Sequence, residues 1–485
     1  MESFSKKKVI VVGAGPVGAL SALYFSHAGW EVEVYELRGD LRLPENLSLN
    51  FSKSINLALS ERGINGLRNL GDGGKLLDEV LAETIPMYGR MIHTGVPGEK
   101  GESQKYDVHG RVCLFIRSAD RGRLNVQLLD ALALKDVKLF FYHGLRGLNL
   151  DANMAEFEKI SGTGERVTVR ADLIIGADGA HSATRRLLQK SVRMYYEQVY
   201  IETLWQEYEI PPDEETGDFK IDANHLHIWP KKDFMFIAIP SIVCSPPPIW
   251  GHDKTFTCTL FMEQWRFDTI GESREDLLSF FRENFEEVVD LVGEDSLVEQ
   301  YLNHQKLPLI SIKCRPYHYK DRCVIVGDAA HAMVPFYGQG MNAGFEDVSV
   351  LFEHIKAHPN SLAYALASYS AYRMPDGHMI NELAMQNHIE MRATVTSKAY
   401  LLRKAIEEAL YAYVPWLGVR TMYSMVSFSN IRYTEVVNRT RRQRKWLNAA
   451  AMALLVGGIM GGLWGVNRLG LRKMGWLRMV KGWFR

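Results

Sequence analysis

Short apolar runs that end in glycine recur at three distant points of this 485-residue chain. Lys8-Val9-Ile10-Val11-Val12 leads into Gly13-Ala14-Gly15-Pro16-Val17-Gly18, and Asp172-Leu173-Ile174-Ile175 into Gly176-Ala177-Asp178-Gly179-Ala180. Cys323-Val324-Ile325-Val326 leads into Gly327-Asp328-Ala329-Ala330-His331. Runs this short, rich in β-branched residues and closed by turn residues, predict buried strands, the first of them in a parallel sheet. Helices are predicted over Ala19 to Ala28 and Leu124 to Leu134, a strand over Glu31 to Tyr35, and a helix opening at Met341. Residues 200–262 alternate and are rich in Trp, Phe, Thr and Ile, which predicts antiparallel strands around a proline-rich interruption at Ser245 to Pro248. Residues 272–304 carry Leu, Phe and Val among acids at helical spacing, a surface helix pair, and 364–432 is again mostly helical.

The glycine turns carry candidate chemistry. Gly13, Gly15 and Gly18 give the strand–turn–helix pattern in which glycines permit a tight turn, close backbone approach to a pyrophosphate, and helix packing. The next strand, ending at Tyr35, is followed by Glu36, eighteen residues after Gly18 and placed to accept from a ribose hydroxyl. Arg38 reaches either a phosphate, the adenine edge or plain solvent. Asp328 stands at the end of a buried run, beside a helix start whose unpaired N–H groups suit an anion or an electron-rich carbonyl. Asp178 has two readings, a cofactor contact or an Asx-turn bonding its own backbone; it is followed by Arg185 and Arg186.

Together the three motifs resemble the single-component FAD-dependent aromatic hydroxylases. Ser54 to Ser60, Arg90-Met91-Ile92-His93, Leu226 to Pro230, Phe256 to Met262, Pro335 to Asp347 and Ile389 to Arg392 are similar to the members that act on L-kynurenine, and the likeness runs from about Lys8 to about Tyr433. The resemblance implies an α/β fold, a Rossmann-like FAD-binding domain with an inserted antiparallel-sheet substrate domain and a C-terminal helical region, to which the charge-free run near the C-terminus adds a C-terminal transmembrane helix. It implies FAD-binding segments at 1–75, 108–192 and 305–376, substrate segments at 76–107 and 193–304, a helical region at 377–446, an anchor at 447–466 and a basic tail at 467–485. The chain has one dinucleotide fingerprint, so NADPH is expected to dock transiently in a groove.

The same resemblance adds Val17, Tyr35, Leu37, Ala58, Arg121, Leu145, Met341 and Asn342 to the FAD positions. It implies hydroxylation of L-kynurenine to 3-hydroxykynurenine with NADPH and O2, through a flavin 4a-hydroperoxide kept in a dry pocket. Because the cofactor carries the reactive atom, no protein triad and no metal are expected. The substrate carboxylate needs a cation, and Arg90 matches the family's substrate arginine, since a guanidinium grips a carboxylate bidentately. Tyr106, Asn387 and Tyr423 match the remaining substrate contacts. The loop from Tyr106 to Arg121 is a few residues longer than the family's usual spacing. Pro335 and Phe336 either wall the pocket beside the flavin or simply pack.

Composition bounds these readings. With 47% apolar residues the chain can bury a large core in more than one domain, and a net charge of +0 implies no general affinity for nucleic acid. Five scattered cysteines without a CxxC pair argue against a disulfide framework or a zinc site. The first strand begins at once, with no signal-peptide apolar region, so the body is expected to face a reducing cytosol. Leu447 to Val466 carries no charged side chain and is flanked by arginines and lysines on both sides. At about 1.5 Å per residue it reaches about 30 Å, a bilayer's hydrocarbon thickness, so a membrane anchor is expected over a glycine-weakened core helix. The basic flanks and the resemblance point to the mitochondrial outer membrane, with the endoplasmic reticulum as competitor. Gly457, Gly461 and Gly465 give small-xxx-small spacing for weak self-association through that anchor.

Overall fold

The three apolar runs lie in one sheet. Its strand order is His318–Tyr319, Cys323–Ile325, Leu173–Gly176, Lys8–Val12, Glu31–Tyr35, Val137–Phe140. All pairings are parallel except that of His318–Tyr319. Val12 sits opposite both Gly176 and Tyr35, and Gly176 opposite Ile325, so the carboxyl ends of the strands deliver their glycine loops to one edge. Val9, Ile10 and Val11 are all 0% exposed, because both sheet faces are covered; this is why the runs are continuously apolar rather than alternating. This computed structural model describes residues 6–46, 57–93, 101–107, 114–162, 164–244, 252–393 and 398–468. Ser54 to Asn56, the proline-rich stretch Ser245 to Pro248 and the basic tail from 469 lie outside the described residues.

A second, seven-stranded sheet has the order Leu307–Arg315, Tyr195–Ile210, His252–Glu263, Phe234–Cys244, His225–Lys231, Gly89–Ile92, Glu102–Lys105. Here the alternation read from 200–262 has its physical use. Tyr208, Trp229, Phe236 and Leu260 pack with Phe281 and Val288 of helix Arg274–Val292 and with Leu297 of helix Glu294–Asn303. Their neighbours Ile228, Met235 and Phe261 turn the other way, toward Phe336, Tyr337 and Leu383. The inward face therefore meets the turn Pro335–Tyr337 and the long helix Leu362–Ala393.

The joint between the two halves is ionic and buried. Asp347, on helix Gly340–Ala357, accepts from the Gly327 N–H (2.9 Å) and from Arg373 Nε (2.8 Å), and lies 2.6 Å from His331 Nε2. Arg373 and Arg62 donate to opposite oxygens of Glu346, at 2.9 and 2.7 Å. Arg62 also donates to the carbonyls of Val426 and Ile431 and lies 3.9 Å over the Tyr433 ring. Asp376 accepts from Arg432 (2.7 Å) and from the Thr434 N–H (3.0 Å). Arg62, Arg373, Asp347 and Asp376 are each at most 1% exposed, so each charge needs its partners.

The C-terminal expectation is corrected. Leu447 to Val466 is helical, as part of helix Tyr433–Arg468, but among the described residues no helix is long and apolar enough to cross a membrane. The transmembrane helix is thus withdrawn, and with it the outer-membrane anchoring, the lipid-bilayer contact and the self-association through the anchor.

Burial alone would lower the His331 pKa, but the charge and hydrogen bond of Asp347 outweigh it and leave the imidazole above its ordinary value. Burial likewise pushes Asp347 up, and His331 and Arg373 together bring it below its ordinary value. A histidine raised on folding stabilises fully below its unfolded pKa of about 6.5 and loses that contribution as pH rises through the folded value. The urea midpoint of the native chain should therefore fall, as pH rises above about 6.5, more steeply than that of His331→Gln. Equal slopes would place the titration elsewhere. Asp347→Asn should cost about 3–5 kcal/mol in the same measurement, since it leaves buried cations without their shared partner.

Candidate active site

The first glycine turn is built by contact. Gly13 has φ +99°, and a Cβ there would come within 2.5 Å of the Ala177 carbonyl oxygen. A Cβ on Gly18 would strike the Gly13 carbonyl oxygen at 2.0 Å. Gly15 differs, since a Cβ on it would meet nothing within 4 Å: the space in front of helix Pro16–His27 is open. Glu36 closes this turn. One of its carboxylate oxygens accepts from the Ala14 N–H at 2.7 Å, and the other from Arg38 N–H and Nε at 2.9 and 3.0 Å.

All three motifs converge. Val17 is wedged between Gly327 and Gly344, where added Cβ atoms would lie 3.2 and 2.5 Å from its methyl groups, so the first and third motifs touch. The first and second touch where Gly13 meets Ala177. Arg185 donates to the carbonyls of Ala180 (2.6 Å) and Ala329 (2.8 Å), tying the second to the third. Asn342 is fully buried; it accepts from the Ser60 N–H at 2.9 Å and donates to the carbonyls of Ala58 and Gly338 at 2.6 and 2.7 Å. It thus pins strand Leu57–Leu59 to the start of helix Gly340–Ala357, where Met341 is part-buried.

Asp328 opens the short helix Asp328–His331 and is exposed, while Ala329, Ala330 and His331 beside it are 0% exposed. Its carboxylate is therefore open to solvent, with Oδ1 3.9 Å from where a Cβ on Gly340 would lie. Arg121, at the start of helix Arg121–Ala133, is also accessible yet surrounded by protein: burial pulls its guanidinium below the ordinary value, and the Asp328 charge opposes this. Leu37 and Arg38 are open at the far end, 55% exposed for Leu37.

Other expected contacts are turned inward. Asp178 accepts from Ser182 Oγ (2.5 Å) and from the N–H and hydroxyl of Thr184 (2.9 and 3.0 Å), so its carboxylate is occupied by its own loop. The Tyr35 ring is stacked between Phe140 and Phe157, with centroids at 4.6 and 3.9 Å. Only its backbone faces the turn, where its carbonyl accepts from the Gly13 N–H at 2.8 Å. Leu145 is 5% exposed, within the same core.

The second group of expected residues gathers into an aromatic cluster. Arg90 is 6% exposed on strand Gly89–Ile92, its guanidinium 4.3 Å over the Tyr423 ring. Tyr106 stacks on Tyr423 with centroids 5.4 Å apart and hydroxyls at 3.4 Å. Burial, then the neighbouring Tyr423, pushes the Tyr106 phenol well above its ordinary value, with Arg90 opposing, so it stays protonated at neutral pH. Tyr337 also stacks with Tyr423, with centroids 5.7 Å apart. Asn387, 3% exposed, donates 2.6 Å to the Phe336 carbonyl, and Phe336 itself stacks on His388 at 4.0 Å. The turn Pro335–Tyr337 thus holds the whole group together. Sequence reasoning missed Tyr337, His388 and the partner loop of Arg185; only the spacing of Pro335-Phe336-Tyr337 beside the third motif marked the place.

An open space before Gly15, an exposed acid at Asp328 and a cation at Arg121 fit a bound dinucleotide with its pyrophosphate at a helix N-terminus. Gly15, Asp328 and Arg121 would hold FAD, and Asn342 would set the backbone beside it. The aromatic cluster sets one nearly buried guanidinium, Arg90, among stacked rings.

Comparison with known proteins agrees with this geometry. The FAD binding domain family matches residues 6–382. "Kynurenine 3-monooxygenase 3" of Aspergillus niger is 48% identical over 485 residues, covering 95% of this chain and 94% of that protein. "Kynurenine 3-monooxygenase" of Chaetomium globosum is 49% identical over 476 residues, covering 91% and 96%. Among solved structures, a tetrameric form of 2-methyl-3-hydroxypyridine-5-carboxylic acid oxygenase shares the fold, with TM-score 0.61 at 18% identity over 85% of this chain and 98% of that one. Pseudomonas aeruginosa PqsL in complex with 2-aminobenzoylacetate does so too, with TM-score 0.61 at 17% identity over 80% and 97%. With three glycine turns meeting at one cleft and nearly half of its residues shared with these relatives along almost its whole length, the chain belongs to the kynurenine 3-monooxygenase family of FAD-dependent monooxygenases.

Proposed function

We propose that this enzyme hydroxylates L-kynurenine to 3-hydroxykynurenine, using NADPH and O2, and that Arg90 anchors the substrate's α-carboxylate. The observation that carries the second part is a nearly buried guanidinium beside the Tyr106–Tyr423 pair, in an otherwise aromatic cluster. Bound FAD, reduced by NADPH, supplies the oxygen-activating chemistry. The protein's own residues bind, orient and dry the site. Arg90 and the Tyr106 hydroxyl grip the carboxylate, Tyr423 forms the wall beneath it, and Asn387 fixes the Phe336 backbone. Pro335 and Phe336 exclude water from the reacting edge of the ring. The ring already carries an electron-releasing amino group, so no general base is assigned.

For the cofactor, Gly13, Gly15, Val17 and Gly18 shape the pyrophosphate turn. Glu36, Leu37, Arg38 and the backbones of Tyr35 and Leu145 serve the adenosine end. Arg121, Asp328, Met341, Asn342 and Ala58 serve the middle and flavin end, and Asp178 acts by shaping its loop. The division into FAD-binding segments 1–75, 108–192 and 305–376 and substrate segments 76–107 and 193–304 is part of the same proposal. Strand Leu307–Arg315 crosses between them, since it pairs with Tyr195–Ile210.

Arg90→Ala should raise KM for kynurenine about 10- to 150-fold, equivalent to about 1.5–3 kcal/mol for a charge-assisted contact, with unchanged flavin content. NADPH oxidation coupled to 3-hydroxykynurenine formation measures it, and an unchanged KM means the carboxylate sits elsewhere. Gly15→Val fills the open space before the helix. It should yield folded but colourless protein, read from the ratio of flavin absorbance to protein absorbance beside an unaltered circular dichroism spectrum.

A further inference from the structure

Between strand Glu102–Lys105 and helix Lys398–Tyr413 lies a cavity of about 220 Å³, lined by Gln104, Lys105, Leu401, Lys404, Ala405 and Glu408. We propose that this cavity is an outer binding site for the zwitterionic head of a free α-amino acid, from which the substrate passes inward to Arg90. This rests on the reading of Arg90 given above.

Three observations carry it. First, Lys404 and Glu408 sit one helical turn apart with Nζ and Oε1 at 3.9 Å, beyond hydrogen-bond distance, and their side chains are only 24% and 17% exposed. An ordinary surface pair on a helix keeps both heads in water; here both are largely enclosed while holding each other loosely. The further contact from Lys404 Nζ to Gln104 Oε1 is also long, at 3.5 Å. Burial accordingly lowers the Lys404 pKa and raises that of Glu408. An α-carboxylate against Lys404 and an α-ammonium against Glu408 would complete both charges at once, with Leu401 and Ala405 offering apolar wall to the rest of the molecule.

Second, the cavity adjoins the strand pair that carries the anchor. Gln104 lies directly opposite Arg90 in the antiparallel pairing of Glu102–Lys105 with Gly89–Ile92, so the two side chains share a sheet face. Third, Lys404 feels the charge of Arg90, which helps hold its pKa down. Two cations therefore flank one short strand, so a carboxylate released by Lys404 has a second cation, Arg90, within the same electrostatic neighbourhood, although Glu102, Glu390 and Glu408 also act on Lys404. Charge placed this way acts on the rate of association more than on the final affinity.

The test uses the FAD-loaded enzyme and the variants Lys404→Met, Lys404→Arg and Glu408→Gln, each checked for native flavin content. Substrate association is followed by the stopped-flow change in flavin absorbance, with kynurenine and with its deaminated analogue, which keeps the carboxylate. Lys404→Met should slow association and lower kcat/KM about tenfold for both compounds, leave kcat unchanged, and abolish the salt dependence of association, with Lys404→Arg restoring it. Glu408→Gln should slow kynurenine and leave the deaminated analogue unaffected. Unchanged association in Lys404→Met, a fall in kcat, or equal slowing of both compounds by Glu408→Gln would overturn the proposal. If Arg90→Ala raises KM while Lys404→Met does nothing, only the outer site fails; if Arg90→Ala leaves KM unchanged, the inner reading has failed instead.

Discussion

A single buried carboxylate governs the architecture. Asp347 accepts from the Gly327 N–H, faces His331 and takes a hydrogen bond from Arg373, all with no exposure to solvent. An unpaired charge in that position is expensive, so its partners must be in place before the site can form. Gly327 carries the third glycine turn, and Arg373 passes the constraint through Glu346 to Arg62 and so to the segment around Val426 and Ile431. One ionic network thereby fixes the edge where the cofactor lies relative to the helices that close the substrate pocket.

From that joint the pocket follows mechanically. Helix Gly340–Ala357 begins immediately after the turn Pro335–Tyr337, and this turn touches Tyr423 through Tyr337 and Asn387 through the Phe336 carbonyl. Arg90 arrives from the seven-stranded sheet, whose inward face packs on the same turn. The residues that would grip the substrate therefore come from a strand, a turn and two helices far apart in the chain, and a shift of the ionic joint would move them all.

One reading was narrowed and one expectation was overturned. Asp178 stood in a glycine-bracketed turn with two readings open, and its carboxylate turned out to be satisfied by Ser182 and Thr184. Its contribution is to shape the loop that Gly13 packs against. The C-terminal run looked like a membrane span because it lacks charge, but it is rich in alanine and glycine and continues an arginine-rich helix without a break, and among the described residues no helix is long and apolar enough to cross a membrane.

The chain's own pattern determined the strands that end in glycine, the alternation of 200–262 and the strand–turn–helix order of the fingerprint, because apolar periodicity and glycine conformational freedom act over a few residues. That the chain carries Arg90, Tyr106, Asn387 and Tyr423 in recognisable surroundings was legible by resemblance, and their gathering was not. Only tertiary structure decided that Val17 fits between two glycines, that Asn342 spends its amide on backbone, that Tyr35 is core, and that Arg62 and Arg373 share Glu346. Each of these depends on groups distant in the chain meeting without water, and burial, unlike periodicity, is a property that no short stretch of sequence possesses.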